Sequence, residues 1–285
     1  MTDALTLRLM TEDEAGRLVG WAADEGWNPG LHDARIFWDT DPEGFIAAEL
    51  EGELIGGGTI TSYDGAFGFM GLFIVRPEYR GRGLGTQLWH ARVRLLQSRL
   101  RAGSAIGMDG VLEMQDWYAQ GGFRFAHRSI RYEGLGATVE RDRRLVPASE
   151  VPFERLAAYD ARCFPVPRER FLRPWLEQPD GLALAAVDGE RLSGYGLIRR
   201  CGVGGKVGPL FADDAEVAEA LYAGLAAHLP GEPVFLDVPE INAWAMGLAR
   251  RRRMHEVFGT ARMYLGPRPS LADSRIYGIT TFELG

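Results

Sequence analysis

Apolar and polar positions alternate through "LTLRLM" near the start of the chain, the period of a strand. The spacing turns helical in "DEAGRLVGWAADEGW", and Thr11 stands with Glu14 at capping-box distance at its start. "LHDARIFWDTD" predicts a second helix. Three strand-like runs follow, "GFIAAELEG", "ELIGGGTITSY" and "FGFMGLFIV", with Glu51 and Gly52 as the first hairpin turn. Leu84, Leu88, Ala91 and Leu95 then recur at the spacing of an amphipathic helix. "SAIGMDGV" reads as a short strand, "LEMQDWYAQGG" as a helix stopped by glycines, and "FRFAHRSIRYEG" as a closing strand. The order β-α-α-β-β-β-α-β-α-β predicts an α/β (α+β) fold around a mixed, mostly antiparallel sheet flanked by helices.

The pattern then repeats. "FIAAELEGELIGGGTI" has a counterpart in "LALAAVDGERLSGYGL", and a constant shift of 137 residues brings Gly52 to Gly189, Glu53 to Glu190 and Gly71 to Gly208. Gly58 falls on Tyr195, one residue short of Gly196. "IRYEG" and "RMYLG" correspond at a shift of 132, so the second copy has lost about five residues after its central strand. The irregular, charged "ATVERDRRLVPASE" marks the junction, which predicts one domain over residues 1–137 and a second over 146–285.

The missing residues fall where the first copy carries its densest chemistry. "RPEYRGRGLG", Arg76–Gly85, follows an apolar strand and opens the amphipathic helix. The unpaired N–H groups of a helix start attract anions, glycines let the backbone approach them, and arginine adds permanent charge. That combination suits a pyrophosphate. The spacing is not that of a dinucleotide fingerprint, because Thr86 and Leu88 stand where its last glycine belongs. Nor is there a G-x-x-x-x-G-K-[ST] loop, since Lys206, the only lysine, is followed by Val207.

What fits is R-x-x-G-x-G on Arg80, Gly83 and Gly85, followed downstream by "WYAQGGF". With these two motifs in order, residues 5–135 resemble the GNAT superfamily of acetyl-CoA-dependent N-acyltransferases. The resemblance implies two GNAT-like domains and acetyl-CoA as co-substrate. Backbone groups of Phe73, Ile74 and Val75 would pair with the pantetheine arm. The turn Arg80, Gly81, Arg82, Gly83, Leu84, Gly85 and Thr86 would hold the pyrophosphate. Tyr118 would protonate the departing thiolate, and Asp109 is a candidate to draw the proton from the amine through water. Glu25, Trp27 and Asn28 lie in the region that forms the acceptor side in this family. An asparagine often found seven residues before the tyrosine is replaced here by Val111.

The second copy diverges in the complementary way. Asp213 and Glu216 stand at cap spacing at its helix start, where carboxylates repel a pyrophosphate. Asn242 occupies the asparagine position, but Ala249 replaces the tyrosine. The expectation is an N-acetyltransferase acting on a primary amine of a small molecule or peptide by direct attack, with a degenerate, substrate-shaping second domain. The alternatives are an active second domain, as in mycothiol synthases, and a coenzyme-binding module without turnover.

Composition narrows the partners. The net charge of −7 disfavours nucleic acid, and the run Arg250–Arg253 reads as the end of a helix. Cys163 and Cys201 are too few for a disulfide framework, and the five histidines lack metal-ligand spacing, so no metal is expected. "MTDALTLRLMTEDEAG" lacks signal-peptide features and no apolar run spans a bilayer, which predicts a cytoplasmic protein without membrane contact. Oligomeric state is left open.

Overall fold

The computed structural model describes residues 5–140 and 142–285. The first half runs β1 (Thr6–Leu9), α1 (Glu12–Asp24), α2 (Asp33–Thr40), β2 (Phe45–Leu50), β3 (Glu53–Tyr63), β4 (Phe67–Val75), α3 (Leu84–Ser98), β5 (Ile106–Val111), α4 (Gln115–Gln120) and β6 (Arg124–Leu135). The second repeats the order with β7 (Leu145–Pro147), α5 (Phe153–Asp160), α6 (Glu169–Leu176), β8 (Gly181–Asp188), β9 (Arg191–Arg200), β10 (Gly205–Ala212), α7 (Ala215–Ala226), β11 (Pro233–Pro239), α8 (Ala243–Arg251) and β12 (His255–Leu265). One further strand, β13 (Ile276–Gly278), has no counterpart in the first half.

Local chemistry explains the element boundaries. Thr11 and Glu14 form the reciprocal capping box at α1. Glu51 and Gly52 both take positive φ, as a tight hairpin between β2 and β3 requires. Apolar residues fill both faces of β3 and β4, because α1 and α2 cover one side and α3 and α4 the other.

All thirteen strands join into one sheet, in the order β1-β2-β3-β4-β5-β12-β6-β11-β10-β9-β8-β7, with β13 beside β10. The last strand of each half has therefore crossed into the other half's sheet. β12 pairs with β5 of the first half, β6 pairs with β11 of the second, and the two exchanged strands pair with each other. Each brings an arginine opposite a buried aspartate of its host strand: Arg131 faces Asp237, and Arg262 faces Asp109. This symmetry equates Arg131 with Arg262, one residue away from the 132-residue match of "IRYEG" with "RMYLG". A bulge between Arg262 and Met263 shifts the register there.

The helical layers also interlock. Phe37 on α2 stacks on Trp175 of α6 at 6.0 Å, and Asp33 pairs with the fully buried Arg199 of β9. The lone lysine, Lys206, is buried and donates to the backbone oxygens of Trp27 and Asn28.

Candidate functional site

Both halves build the same opening and then treat it differently. In the first, β4 and β5 run parallel and pair only over Gly68–Met70. Beyond Met70 the strands part, and β4 bulges where Leu72 adopts a φ of 46°. Arg92 of α3 holds this bulge, donating from one nitrogen to the carbonyls of Thr59 and Gly71. Phe73–Val75 thus keep their β5-facing edge unpaired, a row of backbone donors and acceptors for an extended ligand.

The open edge leads to the start of α3. Gly81 and Gly83 both sit at a φ of 76°, a region that admits glycine without strain. Gly83 is the N-cap, and no side chain caps the helix, so its first N–H groups face outward. Arg80 is fixed beside it by a 2.7 Å bond from Nε to the Val75 carbonyl and by an ion pair with Glu25. Arg82 lies instead over the Tyr79 ring, and the Leu84 side chain joins the core. The cleft so formed, of about 580 Å³, includes Glu25, Trp27, Phe73, the glycine turn, Trp117 and Tyr118 in its lining.

Its inner end narrows into a small chamber of about 70 Å³, which shares Trp27, Phe73, Val111 and Tyr118 with the cleft. Trp89, packed between Phe73 and Tyr118, anchors the aromatic wall. The Tyr118 hydroxyl makes no hydrogen bond among the described residues. Burial pushes its phenol up to about 12, partly offset by the positive charge of Arg92, so at neutral pH it carries its proton. Burial in turn lowers the Arg92 guanidinium to about 9.

Asp109 reaches the same chamber, but Arg262 bonds both of its oxygens at 3.0 and 2.6 Å. Burial raises its carboxyl and Arg262 opposes the shift; the pair already commits the group to joining β5 and β12. Asn28 does not line the cleft. Its side chain both donates to and accepts from the Val203 backbone, which ties the loop after α1 to the second half. Glu25 and Trp27 do line it.

The second half closes its own opening. β10 pairs with β11 only over Gly205–Val207 and then departs, as β4 does from β5. Here β13 enters the gap and pairs with β10 through Leu210 and Phe211. Asn242, in the position that suggested a coenzyme contact, caps α8 and donates to the carbonyls of Ser274 and Ile276, holding β13 in place. At α7 the cap is Asp214, not Asp213 as the spacing suggested. Asp214 accepts from Val217 N–H at 3.0 Å, Asp213 instead meets Tyr159 and Arg191, and Glu216 pairs with Arg144. The cap shifts because α7 begins at Ala215, directly after Asp214.

Sequence reasoning missed the role of the segment after β13. Phe282 and Glu283, at the close of the second half, line the first half's inner chamber. An acidic residue within the otherwise uncharged run "YGITTFELG" was the available signal. Among the described residues, no group of three or more His, Cys, Asp or Glu could hold a metal, and no helix is long and apolar enough to cross a membrane.

Comparison with known proteins finds two matches along the chain. Residues 8–123 match the family described as "Acetyltransferase (GNAT) family", and residues 156–278 match "Acetyltransferase (GNAT) domain". A relative named holothin acyltransferase, from Pseudoalteromonas sp. (strain SANK 73390), is 27% identical over 93% of this chain and 89% of its own. A solved structure from Pyrococcus horikoshii, provisionally described as an acetyltransferase, is 25% identical with a TM-score of 0.84, covering 99% of this chain and 96% of that one. A tandem GNAT protein from the clavulanic acid biosynthesis pathway shares the fold, with a TM-score of 0.64 at 11% identity, over 94% of this chain and 100% of that one.

Proposed function

We propose, starting from the fact that this chain belongs to the GNAT acetyltransferase family as a tandem acyltransferase, that its first half transfers an acetyl group from acetyl-CoA to a primary amine by direct attack. The observation that carries this reading is one continuous cleft. It joins an uncapped helix start, an unpaired strand edge and a free tyrosine hydroxyl. In this reading the N–H groups from Gly81 to Thr86, with Arg80, hold the pyrophosphate, and the open edge of Phe73–Val75 pairs with the pantetheine arm. Glu25 and Trp27 border the acceptor, and Asn28 acts indirectly by fixing their loop.

The chemistry rests on charge. An amine attacks only when neutral, so an ammonium of pKa about 10 must first lose a proton. A backbone N–H on the open edge polarises the thioester carbonyl as negative charge builds on its oxygen. The leaving thiolate takes the Tyr118 proton. The burial that raises this phenol also raises the proton affinity of a thiolate beside it, and Arg92 steadies the phenolate left behind.

Incubating the protein with acetyl-CoA and a panel of primary amines, and separately with holothin, and following free thiol tests the reading. Amine-dependent thiol release is expected, and its loss in Tyr118→Phe with coenzyme binding retained supports the assigned acid. Coenzyme binding with no thiol release across the panel identifies a binding module instead.

A further inference from the structure

The closing segment of the chain leaves β13 and runs from the second half into the first. Ile279 N–H bonds the Asp237 carbonyl at 2.9 Å. Tyr63 hydroxyl donates to the Leu284 carbonyl, and the buried Arg168, itself paired with Asp160, donates to the Gly285 oxygen, both at 2.8 Å. Between these fixed points the Glu283 backbone lies directly on β4. A Cβ at Gly71 would sit 2.1 Å from the Glu283 carbonyl oxygen, so only glycine permits this approach.

Glu283 is buried and lines the inner chamber with Asp109 and Tyr118. Its Oε2 accepts from the Thr281 hydroxyl, while Oε1 has no hydrogen-bond partner among the described residues. Four charged groups near it are paired elsewhere. Asp109 is bonded to Arg262, Arg131 to Asp237, and Arg199 to Asp33, while Lys206 is turned to the Trp27 and Asn28 carbonyls. Arg92 gives one nitrogen to the Thr59 and Gly71 carbonyls, while its Nε and Nη1 have no hydrogen-bond partner among the described residues.

We propose that Glu283, supplied by the second half, is the catalytic base that takes the proton from the acceptor ammonium in the first half's site. This rests on the acyl-transfer reading above. The ammonium gives one proton to the Glu283 carboxylate, and the neutral amine then attacks the thioester carbon. The C–N bond forms and the C–S bond breaks. The thiolate takes the Tyr118 proton, the amide nitrogen returns its second proton to the Tyr118 phenolate, and Glu283 releases the first to water. One proton leaves per turnover. Phe258 and Phe282, both backed by the Arg131 guanidinium, make an apolar approach beside the carboxylate. The second half is thereby required for the reaction although its own opening is filled.

Wild type, Glu283→Gln and Glu283→Asp are compared by thiol release with acetyl-CoA and the amine panel from about pH 5 to 9, and by calorimetric titration with coenzyme A. The expected result for Glu283→Gln is a loss of about 100-fold in kcat at neutral pH, within the range for general-base removal, with the rate then climbing toward high pH as neutral amine becomes available, and coenzyme affinity within about twofold. Glu283→Asp is expected to restore part of the rate at neutral pH. A Glu283→Gln profile that matches wild type overturns the proposal. Parallel loss of coenzyme binding and rate also overturns it, because the residue would then be holding the cleft together. If wild type binds coenzyme A yet releases no thiol with any amine, the acyl-transfer reading fails, and the base assignment with it.

Discussion

The two halves share an element order and a parted pair of parallel strands, yet the first keeps its gap open while the second fills it with β13. The helix starts differ in the same sense. Gly83 leaves α3 uncapped, whereas Asp214 commits its carboxylate to α7. A fold that opens a sheet must pair the exposed edge with something. The first half leaves that edge unpaired, and the second satisfies it with its own chain. The two halves thus differ as an open half and a half that seals itself, then extends a segment into its neighbour's chamber.

The largest effect expected from breaking this contrast lies in the open half. Tyr118→Phe is expected to lower amine-dependent kcat by about 100-fold while coenzyme affinity holds, read by thiol release and calorimetry. In the sealed half, Asn242→Ala removes a helix cap and two bonds to the β13 segment. A loss of about 2–3 kcal/mol in stability is expected by chemical denaturation. Binding at the freed edge is not expected, because Asp214 still occupies the helix start.

The exchanged strands make a smaller, pH-dependent contribution. His127 on β6 is buried and its pKa is lowered to about 3, first by desolvation and then by the charge of Arg262. The unfolded chain takes up a proton below about 6.5 while the folded chain does not, so this stability is complete above that pH. It is lost as pH falls from about 6.5 toward 3, at roughly 1.4 kcal/mol per unit. Denaturation curves at pH 7 and 5 should show the loss in wild type and not in His127→Gln. The smallest effect is that of Asp214→Ala, about 1 kcal/mol of stability from the lost cap, with no new coenzyme site.

Features that depend on neighbours in sequence were legible. The capping box at Thr11, the Glu51–Gly52 hairpin and the turn Arg80–Thr86 each arise from local backbone requirements. The strand exchange was not legible, because the alternation along "FRFAHRSIRYEG" says which face is buried and nothing about which strand lies alongside. The same limit hid the partner of Asp109. A carboxylate at a strand end looks free until Arg262, from the other end of the chain, is seen to bond it. Asn28 stood at the expected place in the loop, yet a left-handed backbone and paired bonds to Val203 turn its side chain away from the cleft. Glu283 went unnoticed because only the fold brings the closing segment to β4.

Calorimetric titration with coenzyme A tests the contrast most directly. The account predicts one site per chain, unchanged in stoichiometry by Asp214→Ala, and weakened at least about 10-fold by Gly83→Asp, which places a carboxylate at the open helix start. Gly83→Asn, which tolerates the same backbone region without the charge, should lose less. Two sites per chain, or a single site indifferent to Gly83→Asp, would contradict it.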